Sequence, residues 1–214
     1  MKSLPKPRFE RARAMKQRGV VLFFALIALL AMSLAAVALI RSVDTSTMIA
    51  GNLAFKQAAT TSGDAGVDAA MNWLATIQTA NNAINVLNNA THPFNITNLA
   101  ANPGYHSNAD PALNLTADAT WDDVNNVLVG TDGSGNTIRY IIQRMCRNAN
   151  QPIQTADCLF SGALQDNNGQ NIPLPQEVCQ GAGCPVAGQT PQIRITTRTT
   201  GPKNTVSYVQ AFVY

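Results

Sequence analysis

Apolar positions run unbroken from Val20 to Ile40, VVLFFALIALLAMSLAAVALI, with Ser33 the only polar side chain. A helix of that length spans roughly 30 Å, the thickness of a bilayer core. Past Arg41 the pattern changes but does not stop. No proline lies between Pro7 and Pro93. Val67, Met71, Leu74, Ile77, Ile84 and Leu87 recur at helical spacing, which predicts that the helix continues with one apolar stripe. Gly51, Gly63 and Gly66 are expected to weaken it locally and to kink or unwind it.

Further on, the period shortens. Residues 88–136 are rich in Asn, Ala, Thr, Asp and Gly, broken by Pro93, Pro103 and Pro111, and read as a loop-rich connection. Trp121–Val129 is a candidate strand, 131–136 (TDGSGN) a turn, and Thr137–Met145 a second strand, together a hairpin. QIRITTRTT and TVSYVQAFVY alternate in steps of two around a Gly201-Pro202-Lys203-Asn204 turn. The expected class is α+β: a long N-terminal helix whose outer half packs on an antiparallel sheet of at least four strands.

Charge sharpens this division. Charged residues make up 13% of the chain, about half the usual ~25%. Residues 1–19 hold seven bases and one acid, a local +6, which leaves 8 bases and 11 acids in the remainder. No basic patch of nucleic-acid size remains outside the tail. The basic tail favours a cytoplasmic N-terminus, with everything after Arg41 across the membrane. Three readings of the segment compete: a cleaved signal peptide with an A-x-A match at Ala36-Val37-Ala38, a plain single-pass anchor, and a leader cut before an apolar helix that is kept. The apolar run exceeds a signal peptide's usual ~7–15 residues, and Gly19 stands directly against it, so the third reading is preferred. The chain then divides into a basic leader (1–19), a transmembrane and assembly helix (20–60) and a periplasmic domain (61–214).

QRGVVLFFALIALLAMSLAAVALIRS followed by MIAGNLAFKQAA resembles the N-terminal region of PilX-type minor pilins of type IV pili. GNTIRYIIQRMC and IRITTRTTGPKNTVSYVQAFV are similar to that family's C-terminal region. The resemblance implies a pilin-like fold and prepilin-peptidase cleavage between Gly19 and Val20, with Val20 the N-methylated first residue. It implies assembly near a fibre tip with other minor pilins, the major pilin and a tip adhesin. It implies residence in the inner membrane before assembly, then in the fibre at the cell surface. Major pilins usually carry Glu at the fifth mature position, where this chain has Phe24. A buried ammonium needs a partner carboxylate, so a subunit without one suits few copies at a fibre end. The alternatives are a pseudopilin of a type II secretion system and a membrane-tethered binding domain unrelated to fibres.

The remaining candidate chemistry is sparse. Cys146, Cys158, Cys179 and Cys184 allow three connectivities. Sequence-near pairing, Cys146–Cys158 and Cys179–Cys184, closes two short loops and suits an oxidising periplasm. Zinc is disfavoured, since there is no C-x-x-C pair and no nearby His. Asp132, Ser134 and Asn136 place oxygens as a calcium loop does, but Thr137 and Gln143 replace its Gly and Glu. His92 and His106 sit in polar loops, without a catalytic motif, and are expected at the surface. Asp122 and Asp123 are adjacent, so on a strand they point to opposite faces. The N-x-T triplets at Asn89, Asn95 and Asn114 read as ordinary loop residues. Ser42, Thr45, Ser46 and Thr47 could bond between packed helices. No enzyme activity, cofactor or metal is expected.

Overall fold

The computed structural model describes residues 19–122, 125–161 and 190–214. One α-helix, α1, runs from Val20 to Ala80 over 61 residues. The chain divides into two units at Gly51/Asn52, and α1 contributes to both. In the first unit the helix buries nothing, and residues 19–50 are all exposed.

In the second unit α1 buries Ala59, Gly63, Gly66 and Ala70. Their spacing of four, three and four places them on one face. The glycines expected to break the helix are instead where it meets the sheet. A Cβ on Gly66 would lie 2.7 Å from Thr197 Cγ2 and 3.0 Å from Ile138 Cγ2, and one on Gly63 2.9 Å from Val209 Cγ2. The missing side chains allow backbone-to-sheet contact, and that packing outweighs a propensity cost of about 1 kcal/mol per glycine. Val67, Leu74 and Ile77 join the core as expected. Met71 does not, being 47% exposed. Ile84 and Leu87 lie past the helix end, in the turns that follow.

Five strands form the sheet: β1 (Tyr105–His106), β2 (Val127–Thr131), β3 (Thr137–Arg144), β4 (Ile193–Gly201) and β5 (Thr205–Val213). β3, β4 and β5 follow one another antiparallel. β1 and β2 share the outer side of β3; β2 is antiparallel and β1 parallel, so the sheet is mixed. The register aligns Ile138, Tyr140 and Ile142 with Thr199, Thr197 and Ile195, and these with Ser207, Val209 and Ala211. This is the face under α1, where Thr60 and Ser207 hydroxyls bond at 2.8 Å. Tyr140, Ile142 and Ile195 meet Ala70, Phe94 and Tyr105 in the core. The opposite face carries Arg139, Arg198 and Tyr208, covered in part by a 3-10 helix at Asp118–Trp121. Trp121 is buried, stacks on Tyr208 at 6.0 Å and donates from Nε1 to Leu115 O. The strand expected from Trp121 therefore begins only at Val127, because the indole is needed as a cover for the sheet.

The long connection orders itself through side chains. Asn85, Asn89, Asp110, Asn114 and Asp132 each accept, through Oδ1, the backbone N–H two residues on. Each forms an Asx turn, which explains the Asn- and Asp-rich composition without regular structure. Two of the N-x-T triplets are such turns, with the Thr91 and Thr116 hydroxyls donating to the same Asn oxygens. After β3, a disulfide joins Cys146 and Cys158 around the short helix α2 (Ile153–Ala156). The expected Cys179–Cys184 pair lies outside the described residues.

Gly66→Ala should lower Tm, because about 1–3 kcal/mol of overpacking exceeds the ~1 kcal/mol gained in helix propensity. Gly51→Ala, whose Cβ meets nothing within 4 Å, should leave Tm unchanged or slightly raised. Thermal unfolding of the detergent-solubilised chain, followed by circular dichroism, distinguishes the two.

Candidate functional site

The first candidate is the uncovered half of α1. Its length and composition make it long and apolar enough to cross a membrane. Gly19 is the turn residue before the helix and Val20 its first residue, both exposed. Phe24 is 64% exposed, its ring edge-on to Phe23. The hydroxyls of Thr45, Ser46 and Thr47 donate to Arg41 O, Ser42 O and Val43 O on their own helix. Towards another helix they offer acceptor oxygens rather than free donors.

The calcium reading of residues 132–136 fails on the lone pairs. Asp132 Oδ1 accepts from the Ser134 and Asn136 N–H groups, and Oδ2 from the Ser62 hydroxyl and Asn136 Nδ2. Those donors hold its carboxyl well below the usual range, the Ser62 hydroxyl most strongly. A carboxylate saturated with four donors has nothing to offer a cation. The network ties the β2–β3 turn to α1. Gly201 completes it, because a Cβ there would collide with Asn136 Oδ1. No metal-competent cluster of His, Cys, Asp or Glu occurs among the described residues.

Both histidines, expected at the surface, are buried: His92 0% exposed and His106 4%. His92 caps the Pro93–Asn95 turn, its Nδ1 accepting from Phe94 N–H at 3.1 Å. Burial pushes both imidazoles down, aided for His92 by the Arg144 charge and opposed for His106 by the Asn125 backbone and Asp110. Both lie in the interior of the loop region.

At the centre of that region lies Arg144, 1% exposed and with no salt bridge among the described residues. Its guanidinium donates to Ser107 O at 2.9 Å, Gln151 O at 2.7 Å and Asn95 Oδ1. Asn95 Nδ2 in turn donates to Val86 O and Asn89 O. Three loops that share no secondary structure thus meet at one side chain. Sequence reasoning placed Arg144 only as a strand residue. The available signal was a base two residues after the apolar run Tyr140–Ile142, at a β3 position whose alternation with Ile138, Tyr140 and Ile142 faces inward. Beside it a cavity of about 430 Å³ is lined by Leu74, Phe94, Tyr105, Ile153 and Ile193. Its lining is largely apolar and, among the described residues, carries no arrangement of acid, base and nucleophile. Asp122 is exposed at the end of the 3-10 helix, and Asp123 lies outside the described residues.

No family model matches the chain, and neither a curated protein nor a solved structure matches it.

Arg144→Met should destabilise the fold by about 3 kcal/mol or more, since two buried acceptors and the Gln151 carbonyl lose a charged donor. Arg144→Lys should recover only part of this, because one ammonium cannot reproduce the fork. Denaturant midpoints test both.

The pH dependence has one sign. The folded histidines bind protons less readily than the unfolded ones, so stability is complete above the unfolded pKa near 6.5 and falls below it. Asp132, lowered likewise, adds a second loss below about pH 4. Tm measured from pH 8 to 2 should drop in these two windows, and His106→Gln should reduce the first.

Proposed function

We propose that the chain is a minor pilin of a type IV pilus, which primes or joins fibre assembly by protein–protein packing. The observation that carries this reading is α1 itself: one uninterrupted helix, apolar and uncovered over its first half, with its second half seated on a sheet. A signal peptide has no reason to continue into a core helix, and a plain anchor needs no such continuity. The R-G step before Val20 and the resemblance at both ends of the chain support the same class.

In this reading the leader 1–19 directs insertion and is removed after Gly19. The helix first sits in the inner membrane with the folded part in the periplasm. On assembly its apolar surface exchanges lipid for other pilin helices at little solvation cost, since both surroundings are equally apolar. The acceptor hydroxyls of Thr45, Ser46 and Thr47 lie just past the apolar run, where they can fix helix register. Phe24 in place of Glu suits a subunit present in few copies. The apolar cavity and the inward-facing histidines suit a binding protein rather than an enzyme.

N-terminal mass spectrometry of the membrane-bound chain, with and without prepilin peptidase, tests this. The expected result is a methylated Val20 that is lost without the peptidase. An intact Met1 in both strains would make the helix a plain anchor, and a start at Leu39 a secreted domain.

A further inference from the structure

The cavity of about 430 Å³ beside Arg144 lies wholly within the unit Asn52–Tyr214. Its buried floor includes Phe94, Tyr105, Arg144 and Ile153, and its exposed mouth includes Ala75 and Gln78 on α1. That volume falls in the ordinary range for small-molecule sites, roughly 300–1,000 Å³. Walls of this kind favour an apolar body over water.

Arg144 is the one charged side chain among the described residues that line the cavity. A guanidinium has five N–H donors, and here Ser107 O, Gln151 O and Asn95 Oδ1 take three of them. All three acceptors are neutral, so they bond the guanidinium without cancelling its charge. Arg147 and Arg198 each have an aspartate, Asp157 and Asp118, whereas the more deeply buried Arg144 has no acid beside it among the described residues. A buried charge without an opposite charge is costly, and an anion brought to it is attracted far more strongly than in water. A carboxylate suits the remaining N–H groups of a planar fork. A second carboxylate on the same molecule would be left against apolar walls, and a cation would be repelled.

We propose that this cavity binds a small monocarboxylate, with its apolar body between Leu74, Phe94, Ile153 and Ile193 and its carboxylate drawn to Arg144. The proposal is independent of the pilin reading, since no part of the site belongs to the exposed half of α1.

The test uses the full chain in lipid nanodiscs at neutral pH, with para-fluorophenylpropanoate as the probe and fluorine NMR as the readout. Saturable broadening is expected with the chain and not with discs alone. The primary amide of the same acid should bind roughly tenfold more weakly or worse, because it lacks the charge-assisted bond. This comparison tests the role of Arg144 while leaving the residue in place. Ala75→Trp, at the exposed mouth, should abolish binding of the acid while leaving Tm unchanged. No saturable binding, equal binding of acid and amide, or binding that survives Ala75→Trp would each overturn the proposal. Binding seen only after residues 162–189 are replaced by a short glycine–serine linker would assign the cavity to the chain's own segment and overturn it as well.

Discussion

The closeness of α1 to the sheet at Gly63 and Gly66 sets the geometry of everything packed around it. A helix–sheet separation is normally fixed by the side chains between the layers. Here the layer is removed at two successive turns, and Thr197, Val209 and Ile138 occupy the space. The helix descends onto the strands there, and the larger Trp73, Leu74 and Ile77 fill the wider end with Phe94 and Tyr105. Trp73, Phe94 and Tyr105 form a mutually tilted aromatic set with centroids 5.3–6.2 Å apart. The core is therefore a wedge, thin at the glycines and thick at the aromatics.

Arg144 solves a second problem, that of loops without secondary structure. Burying a guanidinium costs several kcal/mol unless its protons are bonded. In return its planar fork holds three backbone segments in fixed relation, which no apolar side chain can do. The Asx turns order each loop locally, and Arg144 and Asn95 then order the loops with respect to one another. The disulfide between Cys146 and Cys158 restrains the same neighbourhood covalently.

The fold class was legible because periodicity reports which surfaces are buried. The apolar run, the continued helix and the Ile193–Val213 hairpin all follow from spacing alone. What could not be read depends on the partner across the contact. A helix glycine looks like a defect until Thr197 and Val209 are known to lie against it. Trp121 fits an aromatic strand pattern until the sheet needs a cover. His92 and His106 look solvated because the segments around them are rich in polar residues, yet His92 packs on Phe94 and His106 pairs with Gln143 at the edge of β3. The calcium pattern shows oxygens but not the donors that saturate them. For the candidate surfaces, the long apolar helix was plain in the sequence, whereas the asymmetry between the two sheet edges appeared only with strand order.

The backbone closes on itself just before β4. Phe160 bridges Pro191, and Ser161 N–H donates to Thr190 O at 2.9 Å. Gln192 N–H returns to Leu159 O at the same distance. The chain that leaves after Ser161 thus re-enters at Thr190 through a hydrogen-bonded neck. Doubling the length of a connection closed in this way costs only about 0.6 kcal/mol of closure entropy. Homologous chains can therefore lengthen, shorten or replace this stretch with little effect on the sheet, so the neck is a point at which evolution can vary sequence and size while the scaffold stays the same.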